Sequence, residues 1–289
     1  MNDEEKVFDV APEEVYEDNR SRITIFFQVL GRKFWKLIQF NLIYLVFNIP
    51  LIVISYFLSG YLISPLTPAV ESPADIIVLM FVYGFPPMML LMSIPVLAVG
   101  PSQAGLAYLL RCFSYEIPTF YWSDFKDKIK ENLKQGLIVS VINLAAFIFL
   151  LLDFYLYGQL TRNGSSLLLA AANGILFLIL ILFIMMCMYI YPMMVTYELK
   201  IRHLYKNAFL FSIGRFLPNI AVLLICALLL IAPSLIVVFT GSVAVLAVIY
   251  IYYLLLGFTL PGLVINFFIN PVIDKYLKPA PSEEISDKE

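Results

Sequence analysis

Six runs of mostly apolar residues, each long enough to cross a bilayer, dominate the chain: 37–58, 76–99, 137–157, 167–191, 217–239 and 243–266. About 20 helical residues cross the hydrocarbon layer. Lipid offers the backbone no hydrogen-bond partner, so a spanning segment is a helix or part of a closed barrel. The run LLLAAANGILFLILILFIMMCMYIY shows none of the short alternating strands that a barrel requires. With 14% charged residues against about 25% in an ordinary soluble domain, the expectation is an all-α polytopic membrane protein with six transmembrane helices.

Charge divides this body from its ends. Residues 1–20 hold eight carboxylates against Lys6 and Arg20, and residues 279–289 hold four against Lys288. Both read as acidic, disordered tails around a basic membrane domain, 21–278. The first twenty residues lack the basic and apolar regions of a signal peptide, so the first span is expected to act as its own insertion signal. Lys and Arg collect on cytoplasmic loops. On the six-span reading, eighteen fall on the side of the termini and only Arg162 on the other. Both termini are therefore expected in the cytoplasm, with the protein in the cell membrane.

Basic segments precede the odd-numbered spans. In FYWSDFKDKIKENLKQG, residues 120–136, Trp122, Phe125, Ile129 and Leu133 share one helical face, with lysines and carboxylates opposite and Ser123 as the expected N-cap. Residues 23–36 and 200–216 repeat the pattern. Such helices, basic with aromatic anchors, are expected to lie on the cytoplasmic leaflet as elbows. The even spans carry Pro95, Pro192 and Pro261 near their inner ends, where proline would kink the helix. The chain thus reads as three hairpins, each introduced by an elbow.

Several function classes lack their residues. No Walker A sequence occurs, and Gly100-Pro101-Ser102-Gln103-Ala104-Gly105 reads as a turn with Ser102 capping the next helix. Cys112, Cys187 and Cys226 have no metal-type spacing and read as free thiols, while His203 is the only histidine. No cofactor, enzymatic activity or nucleic-acid partner is expected. Arg111 is either an interfacial anchor or a partner contact. Asp153, the one carboxylate within a span, is the candidate for a transport pathway. Asn41, Asn48, Asn143, Asn173 and Asn219 read as helix-to-helix glue.

Four blocks in order, FFQVLGRKFWKLIQFNLIYLVFNIP, GPSQAGLAYLLR, WSDFKDKIKENLKQ and YPMMVTYELKIRHLYKNAFLF, resemble the YesL-like family of bacterial integral membrane proteins, a domain of unknown function. The likeness covers roughly residues 25 to 220, with a longer interval at 55–95 than the family pattern suggests. It implies a non-enzymatic accessory or scaffold role beside carbohydrate ABC importers of Gram-positive bacteria. The implied partners are the lipid bilayer and the importer's membrane subunits or ATPase. Candidate partner contacts are Arg111, Trp122, Asp124, Phe125 and Asn132. The alternative is a small-solute transporter or permease-like subunit that uses Asp153.

Overall fold

The computed structural model describes residues 21–63, 100–163, 167–240 and 242–277. These residues form eleven α-helices and no strand. They are α1 Arg22–Arg32, α2 Phe34–Phe47, α3 Ile49–Ile63, α4 Gly100–Ser114, α5 Tyr121–Glu131, α6 Leu133–Asn163, α7 Leu167–Thr196, α8 Ile201–Gly214, α9 Phe216–Thr240, α10 Val243–Leu255 and α11 Thr259–Leu277. The helices α6, α7 and α9 are each long and apolar enough to cross a membrane, and the bent pairs α2–α3 and α10–α11 qualify as units. The described residues therefore supply three to five spans of a multi-pass membrane protein. The run at 76–99 with Pro95, and the tails 1–20 and 279–289, lie outside them.

Two runs expected to be single helices are broken. The run 37–58 bends by 71° at Asn48. There Pro50 stands in the first turn of α3, where its missing N–H costs nothing, and the Asn48 amide donates to Tyr44 O at 2.7 Å. The run 243–266 bends by 48° between α10 and α11. One side chain bridges that break. Asn41 Nδ2 donates to Tyr253 O and Leu254 O, both at 2.8 Å, and Asn41 Oδ1 accepts from Phe258 N and Thr259 N at 3.0 Å. Backbone groups that the helix leaves open are thus satisfied from α2. Pro261 lies in the first turn of α11, beyond the bend, and Pro192 is carried inside α7.

The three elbow segments form α1, α5 and α8. Each ends at one non-helical residue, Lys33, Asn132 or Arg215, and an apolar helix starts at the next. Ser21 caps α1 by accepting from Thr24 N at 3.2 Å. The cap of α5 is Phe120 rather than Ser123, and Asp124 Oδ2 accepts from Phe120 N at 3.0 Å. The apolar face of α5 packs on protein, not only on lipid as its sequence suggests. Phe125 is 1% exposed and presses on Gly105, where an added Cβ would lie 2.7 Å from the ring.

The GPSQAG segment is helix, not turn. It forms the start of α4, in which twelve of fifteen residues are buried. A Cβ on Gly100 would overlap the Gly136 carbonyl oxygen of α6, so the two backbones touch. Ser102 is buried within this helix and accepts from Asn48 Nδ2 at 3.2 Å. Together α4, the second half of α7 and α11 form the buried centre, around which the longer helices expose apolar faces to lipid.

Candidate functional site

Where α4, α7 and α11 end, three chain segments meet on one carboxylate. Arg111 Nη2, from α4, donates to Asp274 Oδ1 at 2.8 Å and Oδ2 at 2.9 Å. Tyr115, just past α4, donates to Oδ2 at 2.5 Å. Tyr197, just past α7, donates to Oδ1 at 2.7 Å. Asp274 itself belongs to α11. Burial, and then the bond to the carboxylate, push the Tyr197 phenol up to about 12, so it remains a donor at neutral pH. The same two causes, in the same order, raise Tyr115.

A polar stripe leads to this knot from within the bundle. Asn266, Asn270 and Asp274 are spaced by four and share one face of α11. Asn270 Nδ2 donates to Asn266 Oδ1 at 3.1 Å and to Ser114 Oγ at 3.4 Å. From the other side, the Arg22 guanidinium lies 5.5 Å from the Tyr115 ring centre and donates to Phe267 O at 3.0 Å. The arrangement offers a fixed ion pair with its acceptors filled. Chemically it ties three helix ends together.

The residues singled out in the sequence fall into three places. Arg111 is in the knot, with its side chain 16% exposed. Four others belong to α5 and its end. Asp124 closes the helix start, Phe125 is in the core, and Asn132 Nδ2 donates to Lys128 O at 3.0 Å. Trp122 alone of these presents about half its surface, at 51%. Asp153 stands about 30 Å along α6 from its first residue. It borders an open, apolar groove with Phe149, Phe183 and Phe209, and no described residue bonds to it. Asp274, Tyr115, Tyr197, Asn266 and Asn270 were not singled out. The four-residue spacing in NFFINPVID was the available signal.

Cations sit over rings along the same end of the molecule. Lys33 lies 4.6 Å from the Phe113 ring centre, Lys36 4.8 Å from Tyr121, Lys126 5.3 Å from Trp122 and Lys128 5.0 Å from Tyr108. Gln135 ties the start of α6 to the segment after α7 by donating to Leu199 O at 2.8 Å. The three cysteines are free and buried. Among the described residues no three His, Cys, Asp or Glu side chains come together.

Fold and site together define a multi-pass α-helical membrane protein in which the ends of α4, α7 and α11 are tied by an ion pair. No family model matches the chain, and no curated protein or solved structure matches it. The likeness to the YesL-like family thus rests on the quoted sequence blocks alone.

Proposed function

We propose that this protein is a non-enzymatic membrane scaffold, an accessory subunit that meets its partners through the elbow-bearing end. One observation carries the reading. At that end the capping and knot groups are turned inward, while bulky apolar side chains are left outward. Trp35 is 75% exposed and Phe120 83%, beside the half-exposed Trp122 and the cations of the elbows. Six spans in three hairpins, with both termini in the cytoplasm, would place this surface on the inner face. The eighteen-to-one distribution of Lys and Arg supports that orientation. The family resemblance supplies the partner class: the membrane subunits or ATPase of a carbohydrate ABC importer.

The test is co-purification from the native host with importer subunits identified by mass spectrometry. Changing Trp35 and Trp122 together to serine removes two anchors without touching the knot, and should abolish co-purification while the chain still inserts. Undiminished co-purification would overturn the surface assignment. A second reading, small-solute transport, is favoured by one observation: Asp153 borders a groove with no described partner. Solute uptake by the purified chain in liposomes, lost in Asp153→Asn, would replace the scaffold reading.

A further inference from the structure

A cavity of about 240 Å³ lies between α4, α7, α9 and α11, bordered by Asn266 two turns before Asp274 and by Gln103 two turns before Arg111. Its wall is apolar for the most part, with Leu106, Leu223 and Leu230 as typical members, and contains no charged side chain. A charged head group placed there would find no counter-charge, and its burial would be strongly opposed. The bordering helices α7 and α9 are membrane-spanning by length and composition, so the molecules at hand are those dissolved in the bilayer.

The polar groups in the wall decide what kind of molecule fits. Asn266 is committed, because Nδ2 donates to Gly262 O at 2.8 Å and Oδ1 accepts from Asn270. Gln103 is committed only in part. Its Nε2 donates to Tyr44 Oη at 3.1 Å, but its Oε1 takes no hydrogen bond from the described residues. The Tyr44 hydroxyl accepts that bond, and its own proton has no acceptor among the described residues. An open acceptor and an open donor therefore stand side by side in an apolar chamber. This is the complement of an alcohol: its O–H gives a proton to Gln103 Oε1 while its oxygen takes one from Tyr44. A carboxylate has no proton for Oε1, and a plain hydrocarbon leaves both groups unserved.

We propose that the cavity is a binding site for a neutral, single-chain lipid alcohol, held by hydrocarbon contact and oriented by Gln103 and Tyr44. Two thiols report on it. Cys187 and Cys226 line the cavity, whereas Cys112 is buried outside its wall.

The experiment follows N-ethylmaleimide modification of each cysteine by peptide mass spectrometry, on the full chain in lipid nanodiscs. Decanol is the probe, with decane and decanoate as comparisons. At ten times its Kd, decanol should slow Cys187 and Cys226 by roughly tenfold. Cys112 should be unaffected, and decane and decanoate should protect none of the three. Gln103→Leu should remove the protection by decanol, and Ala227→Phe should slow both thiols with no ligand added. Equal slowing of Cys112, or equal protection by decane, overturns the proposal. Should Cys187 and Cys226 resist the reagent altogether, Tm is read instead. Decanol then raises Tm in the wild type and not in Gln103→Leu, and equal or absent shifts overturn the site.

Discussion

Replacing Asp274 by alanine tests the knot most directly. The carboxylate takes four hydrogen bonds from three donors, so its loss strands one guanidinium and two phenols. Removing one partner of a fully buried ion pair costs about 3–5 kcal/mol. Here Arg111 and Asp274 keep 16% and 22% of their side-chain surface, so water can resolvate the stranded cation in part. That discount brings the expected loss to about 2–3 kcal/mol. Asp274→Asn keeps the shape and one acceptor oxygen for a tyrosine, so it should lose less. The double variant Arg111→Met with Asp274→Leu removes both charges and should lie nearer the wild type than either single charge removal predicts. Unfolding is followed by titrating sodium dodecyl sulfate into mixed micelles, with helix content as the signal. A loss in Asp274→Ala below about 0.5 kcal/mol, the range of ordinary surface substitutions, would refute the reasoning. Strict additivity of the two single changes would do the same.

Three further outcomes follow from the packing around the backbone. Gly100→Ala places a methyl group on the Gly136 carbonyl and should cost at least about 3 kcal/mol, as overpacking does at its upper range. Gly31→Ala in α1 meets nothing within 4 Å and should be neutral or stabilising by up to about 1 kcal/mol, both read from the same unfolding titration. Asn41→Leu leaves Phe258 N and Thr259 N without acceptors and should cost about 2–6 kcal/mol, at about 1–3 kcal/mol for each stranded group. Hydrogen exchange at those two amides should rise with it, and unchanged protection would show that the break closes without α2.

The long apolar helices and the elbows were legible because each rests on local pattern: hydropathy over some twenty residues, or one amphipathic face. The breaks were harder. Pro50 after Asn48-Ile49 was visible as a helix-start signal, yet the surrounding run is apolar on both sides and reads as continuous. The break before Pro261 depends on Asn41, more than two hundred residues away, and no local pattern could place it there. The knot was hidden for a related reason. Asp274 lies beyond the last apolar run, beside Lys275, where a carboxylate counts as surface charge. Only the meeting of three helix ends makes it the most heavily bonded side chain of that end. Gly100 and Gly105 read as turn-formers because glycine marks turns and close helix contacts alike, and only the packing separates the two.

The three helices that follow the elbow segments share an inward register but not their side chains. Counting from Lys33, Asn132 and Arg215, the residues four, seven and eleven positions on are buried in all three units. They are Leu37, Phe40 and Tyr44; Gly136, Val139 and Asn143; and Asn219, Val222 and Cys226. The inward face is therefore repeated while its side chains are not. In α2 three large residues fill the space, and Phe40 stacks on Phe113 with ring centres 4.8 Å apart. In α6 the corresponding face begins with Gly136, and the helix comes into backbone contact with α4 at Gly100. In α9 the face begins with Asn219, which accepts from Tyr189 at 2.7 Å and donates to Phe211 O at 3.0 Å. Three helices that meet different neighbours at different distances cannot share one set of residue volumes. The elbow break and the inward register, common to the three segments, fix where each helix starts and which way it faces. The side chains differ because the gap that each face fills differs.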